Sequence, residues 1–299
     1  MTRRRWLVLV LVIASLVSLA APARAGLLDS LLGTGGPAAG ERAWTLGGRP
    51  CQLIDVPDAA SLDTAAPFGV GSCPGVRPGA IAVTDTGACT LNFLFTDPAG
   101  GRYMGTAGHC ILATSLLGTQ DNGEVRFAAG EGPGARDAAG NRIGEFVYAI
   151  QQDPKDFALI RLDPGVEASP QVCSFGGPTG VNDERPGLLE PTVLSSYGNP
   201  LGVGTGVTAK TFVALGMPSA DHVFATGAVL PGDSGGPVLD GAGRAVGLVV
   251  STGLHLGDSP LSFEGLDAGL VGITRLTPQL ERAETVLGTD LELATAPRL

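Results

Sequence analysis

Two short motifs in this sequence hold residue types that together can perform nucleophilic catalysis. Ser234 lies in Gly-Asp-Ser-Gly-Gly-Pro at 232–237, where glycines permit backbone conformations that aim N–H groups at a developing oxyanion. A serine hydroxyl is a weak nucleophile until a base takes its proton. His109, in Thr-Ala-Gly-His-Cys at 106–110, is the candidate base. Taken alone, the run at 232–237 could equally be a surface turn, because its residues are common in turns.

Such a pair needs a carboxylate that fixes the imidazole tautomer and stabilises the imidazolium. Between the base and the nucleophile the best candidate is Asp156, which directly precedes an apolar strand pattern at 157–162. Asp153 and Asp163 stand beside prolines and are typical of turns. The sequence therefore predicts Asp156 as the third member of the set.

Short strands joined by tight turns must position these residues. The chain has 46 glycines and 22 prolines and little helical periodicity, which favours an all-β fold. Strand patterns are predicted at 81–83, 89–95, 102–106, 124–128, 142–150, 157–162, 192–197, 206–214, 222–225, 238–239 and 245–251.

One helix is predicted near the C-terminus. Thr277 is a capping residue, and the proline after it suits a first helical turn. Leu280, Ala283 and Leu287 recur at helical spacing and form an apolar face that should pack on the strands. Residues 288–299 are expected to be loose.

The three motifs, in the order His, Asp, Ser, resemble those of trypsin/chymotrypsin-like serine endopeptidases. The compact loops and the Cys-Thr-Leu at 89–91 resemble the bacterial secreted branch of that family. The resemblance covers about residues 80–287. It implies a chymotrypsin-like fold of two perpendicular six-stranded antiparallel β-barrels with a short C-terminal helix, and a catalytic cleft between the barrels.

The resemblance also implies a role for each residue. Ser234 attacks the scissile carbonyl, His109 acts as general base and then general acid, and Asp156 holds His109. The N–H groups of Gly232 and Ser234 form the oxyanion hole. The expected activity is hydrolysis of peptide bonds through an acyl-enzyme, with no cofactor and no metal.

Two other readings stay open beside the enzyme. The chain could be a catalytically silent protease-fold protein that binds without cleaving. It could also be a structural or surface-interaction protein in which the motifs are accidental. The presence of all three catalytic side chains in family order favours the enzyme.

The family's primary specificity pocket maps onto five residues here. Ala228, six residues before the nucleophile, lies at the pocket base, with Val229 next to it. Ser251, Thr252 and Gly253 form the strand edge on the other wall. None of the five carries a charge, so a preference for uncharged, apolar side chains is predicted.

Asp233 raises a separate question, because a buried carboxylate needs a partner. In the animal enzymes the matching carboxylate pairs with a new N-terminal ammonium released by cleavage. The Ile-Val-Gly-Gly start of that mechanism is absent before the first barrel. As in bacterial relatives, a basic side chain can take its place.

Five cysteines in an exported chain suggest disulfides, although sequence alone leaves their connectivity open. By resemblance, Cys89 and Cys110 form the disulfide that ties down the strand before the histidine. Cys73 with Cys173 is favoured over Cys51 with Cys73. No Cys or Cys/His metal pattern occurs.

The chain divides into segments with different compositions. A basic start, an apolar run and an Ala-Arg-Ala site indicate a secretory signal, with an uncleaved membrane anchor as the rival interpretation. The expected segments are a signal peptide at 1–25, an extension or propeptide at 26–79, barrel one at 80–177, a linker at 178–191, barrel two and the helix at 192–287, and a tail at 288–299.

The net charge restricts the partners. The formal net charge is −10. Loss of the signal removes four arginines and no acidic residue, so the net charge of the remaining chain is more negative still. Phosphate binding needs clustered Lys and Arg, so a nucleic-acid partner is not expected. We expect a secreted, extracellular monomer that acts on protein or peptide substrates, without stable membrane association after signal removal.

Overall fold

The computed structural model describes residues 73–112, 123–152, 154–184, 192–202, 208–217, 219–252 and 270–299, and the strand backbone at 44–46 and 49–51. The expected signal at 1–25, most of the extension at 26–79, the linker residues 185–191 and Gly253 lie outside the described residues.

The chain forms two units, residues 1–55 and residues 56–299. In the first unit, β1 (Trp44–Leu46) and β2 (Arg49–Cys51) form a two-stranded antiparallel sheet. The second unit contains the predicted catalytic residues and two larger sheets.

The first sheet of the second unit has nine strands in the order β17-β5-β6-β10-β9-β8-β3-β4, with β7 paired to β9. Its strands are β3 (Ile81–Thr84), β4 (Gly87–Thr90), β5 (Leu94–Thr96), β6 (Arg102–Thr106), β7 (Gly123–Arg126), β8 (Gly134–Arg136), β9 (Arg142–Gln152), β10 (Lys155–Leu162) and β17 (Glu292–Leu293). The apolar run in β10 is fully buried, which explains why this strand lies near the middle of the sheet.

The second sheet is a closed six-stranded barrel. Its strands are β11 (Val193–Tyr197), β12 (Ala209–Gly216), β13 (His222–Thr226), β14 (Pro237–Leu239), β15 (Ala245–Thr252) and β16 (Leu270–Arg275). Alternate residues of β12 face the interior, as expected for a strand with one buried side.

The all-β, chymotrypsin-like fold class is confirmed. The second half forms the expected six-stranded barrel, and it gains β16, which the sequence patterns missed. The first half differs in detail, because its nine strands form a curled sheet that does not close by hydrogen bonding. Its edge strand β17 comes from the C-terminus of the chain.

The predicted strand at 89–95 is two strands, β4 and β5, separated by three buried residues. Asn92 explains the break. Its side-chain Oδ1 accepts a hydrogen bond of 2.7 Å from the N–H of Phe93, so the side chain replaces a ladder partner.

Helix α2 (Leu276–Leu287) packs on the core as predicted, but its start differs. Thr277 is not the N-cap. Arg275 occupies that position with an extended backbone and no side-chain capping bond, while the Thr277 hydroxyl donates to Asp183. Leu276 and Ala283 are buried on the face toward the core.

Two segments at the ends of the predicted domain pack more closely on it than its bounds of 80–287 imply. Residues 288–299 are not loose, because β17 extends the first sheet at β5, Leu291 is 4% exposed, and the N–H of Leu299 donates to Phe175 O. Residues 73–79 belong to the folded domain, since Cys73 and Val76 are buried in the same core as the first sheet. The C-terminal residues pair with β5 because an edge strand offers unpaired backbone groups. Residues 73–79 pack on the core because burial removes their apolar side chains from water.

Within the described residues, no helix has the length and apolar character needed to cross a membrane.

Candidate active site

His109 and Asp156 are held together by the pairing of two strands. β6 leads into a short helix, α1 (His109–Leu112), and β10 carries Asp156. The register pairs Ala158 with Thr106, which places Asp156 beside the turn that begins α1. His109 Nδ1 lies 2.6 Å from Asp156 Oδ2, and the His109 backbone N–H donates to Asp156 Oδ1 at 2.9 Å.

This double contact fixes both the backbone and the ring of His109. Burial lowers the pKa of His109, but the charge and the hydrogen bond of Asp156 outweigh that effect, so its pKa is raised above the usual value. With Nδ1 bound to the carboxylate, Nε2 is the ring nitrogen left to exchange a proton.

Ser234 lies in a tight segment packed against the strand that leads to His109. The Thr90 N–H donates to the carbonyl of Ser234 at 2.8 Å. Gly235 has a φ of +86°, and a Cβ there would lie 2.3 Å from Thr90 O and 2.9 Å from Ala107 N. Only glycine allows this close approach, so the structure brings the 232–237 motif against the 106–110 motif.

The predicted oxyanion donors lie on two peptides that are held at their carbonyl ends. Pro231 O accepts from the Leu201 N–H at 2.6 Å, and Asp233 O accepts from the Gly236 N–H at 2.9 Å. In a trans peptide the N–H points opposite to the C=O. Neither the Gly232 N–H nor the Ser234 N–H has an acceptor among the residues that the structure describes, as the predicted role in an oxyanion hole requires.

Asp233 has a basic partner, Lys210 of β12. Lys210 Nζ lies 3.1 Å from Asp233 Oδ2, and the same oxygen accepts from the Leu230 N–H at 2.7 Å. Burial raises the pKa of Asp233, although the Leu230 N–H and Lys210 both act to lower it. Asp233, which lies between the two predicted oxyanion donors, is therefore held by a buried lysine of the second barrel.

The described pocket residues lie at the end of β15 or just after β13, two strands that β16 separates. Ala228 is exposed just beyond the end of β13, and Val229 packs against the core of the barrel. Ser251 and Thr252 end β15, where Thr252 pairs with Val271 of β16. Val271 in turn pairs with a residue of β13, so the two walls lie on opposite sides of β16.

Disulfides join the pairs expected from the family resemblance. Cys89 bonds to Cys110, which directly follows His109, and Cys73 bonds to Cys173 across 100 residues. One trio of potential metal ligands among the described residues is Cys89, His109 and Cys110. Two of its three atoms are the disulfide sulfurs, which lack the thiolate that binds metals.

Sequence reasoning missed three residues that support the site. Lys210 could have been found, because it occupies the same face of β12 as the buried Phe212. A lysine on a buried strand face signals a buried partner. Thr90 and Asn199 lie outside the three catalytic motifs and come together only in the fold.

Comparisons with known proteins show what the chain is similar to. The family model described as "Trypsin-like peptidase domain" matches residues 94–248, just over half of the chain. "Protease Do-like 1, chloroplastic" of Arabidopsis thaliana is 29% identical over 160 residues, which cover 50% of this chain and 34% of that protein. The chain thus spans about a third of that relative's length.

Two solved structures resemble the chain at low identity. One, titled "A glutamic acid specific serine protease utilizes a novel histidine triad in substrate binding", is 17% identical, with a TM-score of 0.46 and coverage of 73% of this chain and 100% of that chain. Thermobifida fusca Protease A is 17% identical, with a TM-score of 0.43 and coverage of 74% and 100%. On the strength of the family match, the chain belongs to the trypsin-like peptidase domain family.

Proposed function

We propose that this protein is a secreted serine endopeptidase that cleaves peptide bonds with His109, Asp156 and Ser234. The observation that carries the proposal is the double hold of Asp156 on His109, through the ring at 2.6 Å and the backbone N–H at 2.9 Å. A surface histidine needs no such hold, whereas a general base needs a fixed ring and a fixed tautomer.

The proposed reaction gives each of the three side chains one role. His109 Nε2 takes the proton of the Ser234 hydroxyl as its oxygen attacks the scissile carbonyl, and Asp156 stabilises the imidazolium that forms. His109 then gives the proton to the leaving amine, which breaks the peptide bond and leaves an acyl-enzyme. A water molecule, deprotonated by His109, hydrolyses the ester and restores Ser234.

The negative oxygen of each tetrahedral intermediate would be stabilised by the N–H groups of Gly232 and Ser234. Donors that are already oriented cost no reorganisation when the charge develops. Removal of one such donor typically costs on the order of 3 kcal/mol of barrier.

We further propose a preference for uncharged, apolar side chains before the cut. Ala228 offers no carboxylate to bind Arg or Lys, and Val229 adds apolar surface beside it. The end of β15 at Ser251 and Thr252 would hold an extended substrate by strand addition.

Secretion is part of the proposal and has its own test. Residues 1–25 carry the pattern of a signal peptide, and two disulfides fit an oxidising compartment. Expression in a host with a Sec pathway should yield exported protein whose N-terminus lies beyond residue 25. Retention of an intact N-terminus in the membrane fraction would contradict it.

A silent protease-fold binding protein is the second candidate. The experiment is incubation of exported wild-type protein and Ser234→Ala with a peptide library of randomised positions, followed by mass spectrometry of the products. Cleavage after uncharged apolar residues by the wild type alone supports the proposal. Folded wild-type protein that cleaves nothing contradicts it, and cleavage that requires Arg or Lys before the cut contradicts the preference.

A further inference from the structure

We propose that Thr90 is a positioning residue that locks the peptides of the oxyanion hole, and that Asn199 sets the direction of its hydroxyl. The inference rests on the proposed serine-protease function and extends it to two residues outside the catalytic motifs.

Thr90 contacts the nucleophile segment at two places. Its hydroxyl donates to the carbonyl of Gly232 at 2.8 Å, and its backbone N–H donates to the carbonyl of Ser234 at 2.8 Å. These carbonyls belong to the peptide units on either side of the unit that carries the Ser234 N–H. Thr90 therefore spans the segment from which the second oxyanion donor projects.

The two contacts complete a set of restraints on four successive peptide units. The carbonyls of Pro231 and Asp233 are held by the N–H groups of Leu201 and Gly236. Those of Gly232 and Ser234 are held by Thr90. The hydroxyl of Thr90 therefore restrains the Gly232–Asp233 peptide, which lies between the two peptide units that carry the predicted oxyanion donors.

Gly232 needs the hydrogen bond from Thr90 because its own backbone is flexible. Its φ is +98°, a conformation that glycine adopts without strain but does not enforce. A glycine peptide between two required donors would otherwise sample several orientations. A hydrogen bond to its carbonyl removes that freedom.

Asn199 determines which way the Thr90 hydroxyl points. The hydroxyl has one proton and two lone pairs. The side-chain Nδ2 of Asn199 donates to Thr90 Oγ1 at 3.0 Å, and the Asn199 backbone N–H donates to the same oxygen at 3.2 Å. With both lone pairs engaged, the hydroxyl proton is directed to the carbonyl of Gly232.

The network is buried and is connected to the first sheet. Thr90, Thr106 and Asn199 are each fully buried. The Thr106 hydroxyl donates to Thr90 O at 2.9 Å, and Asn199 Nδ2 also donates to Gly79 O at 2.8 Å. A buried hydroxyl cannot exchange its protein partner for water. Removal of the Thr90 hydroxyl therefore leaves its partners without a replacement hydrogen bond.

The test compares Thr90→Val, which keeps the shape and loses the hydroxyl, with Thr90→Ser, which keeps the hydroxyl. Both are made in the full-length exported protein and assayed on the best peptide from the library. Thr90→Val should lower kcat about 10- to 100-fold, somewhat less than the loss of a whole oxyanion donor, with KM changed less than about 3-fold. Thr90→Ser should retain kcat within about 3-fold of the wild type.

A pair of inhibitors separates positioning from general damage to the fold. A peptide aldehyde adds to Ser234 and places an oxyanion in the hole, whereas the same peptide as a carboxamide only occupies the binding cleft. Thr90→Val should weaken the aldehyde by about the same factor as kcat and leave the carboxamide within about 3-fold. Circular dichroism at the assay temperature confirms that each variant is folded.

Three results would overturn the role of Thr90 while the wild type remains active. The first is a wild-type kcat in Thr90→Val, and the second is a loss of kcat in Thr90→Ser as large as in Thr90→Val. The third is that Thr90→Val weakens binding of the aldehyde and of the carboxamide by the same factor. An exported, folded wild-type protein that neither cleaves peptides nor binds the aldehyde would instead overturn the proposed function, and the role of Thr90 with it.

Discussion

Lys210 Nζ lies 3.1 Å from Asp233 Oδ2, and the two side chains are only 5% and 1% exposed. The pair connects β12 of the second barrel to the residue just before the predicted nucleophile. It supplies from within the fold the positive charge that the Asp233 carboxylate needs.

Lys210→Met should leave the Asp233 charge buried without its ammonium. Breaking a buried ion pair from one side typically costs about 3 to 5 kcal/mol. We expect a loss of that order in the free energy of unfolding, measured by urea denaturation, and a lower kcat because Asp233 lies between the oxyanion donors. Lys210→Arg is the charge-preserving control. Combining Lys210→Met with Asp233→Asn should recover part of the stability, and a single Lys210→Met variant as stable as the wild type would refute the assignment.

The pH dependence of activity should report the contact between His109 and Asp156. The pKa of His109 is raised above 6.5, so kcat/KM should rise with pH and reach half its maximum above about pH 6.5, where the imidazole becomes neutral. In Asp156→Asn only the effect of burial remains, which lowers the pKa of His109. The midpoint should move to lower pH, and the plateau should fall by about 10⁴.

The contact between His109 and Asp156 should also make the stability of the protein depend on pH. A raised histidine pKa stabilises the folded protein below the unfolded pKa, and that stabilisation is lost as pH rises through the folded pKa. The stability advantage of wild type over Asp156→Asn should therefore shrink as pH is raised from about 6 to about 8. An advantage that grows over this range would show that the sign of the shift is wrong.

The two disulfides should contribute unequally to stability. They close loops with sequence separations of 21 and 100 residues, for which chain entropy predicts roughly 3 and 5 kcal/mol. Denaturant unfolding of Cys89→Ala/Cys110→Ala and Cys73→Ala/Cys173→Ala should show the larger loss in the second. Activity should fall more in the first, because Cys110 adjoins His109. Equal or reversed losses in stability would count against the entropic account.

The C-terminal strand should be required for full stability. A chain that ends at Asp290 loses burial of Leu291 and the pairing of β17 with β5. Buried leucine contributes about 1.5 to 3 kcal/mol, and each hydrogen bond about 1 kcal/mol. We expect thermal unfolding at a clearly lower midpoint than for wild type, whereas Glu292→Ala, at an exposed position of β17, should change little. An unchanged midpoint in the truncated chain would restore the view of a loose tail.

Residues with a local signal could be predicted from the sequence. Asp156 was identifiable because a charge directly before a continuous apolar strand is unusual, and the strand register then places it beside His109. Five of the six strands of the second barrel follow from short patterns bounded by turn residues, whereas its closure was implied only by the family resemblance. The helix at Leu276–Leu287 was visible in its apolar spacing, although its N-cap is Arg275, and the Thr277 hydroxyl donates instead to Asp183, which is remote in sequence.

Residues that act through long-range contacts could not be predicted in the same way. Thr90 and Asn199 are 109 positions apart, and neither belongs to a catalytic motif, so only the fold shows that they share a hydrogen bond. The strand Glu292–Leu293 is two residues long and carries no period. It forms because the edge of β5 offers unpaired backbone groups, which is a property of the tertiary structure.

The central claim is that Ser234 is a nucleophile activated by His109. The direct measurement is the reaction of exported, folded protein with a biotinylated fluorophosphonate, followed by mass spectrometry of the labelled peptide. The wild type should carry one phosphonyl group on Ser234, Ser234→Ala should carry none, and His109→Ala should react far more slowly. Folded wild-type protein that does not label, or Ser234→Ala protein that labels equally, would contradict the claim.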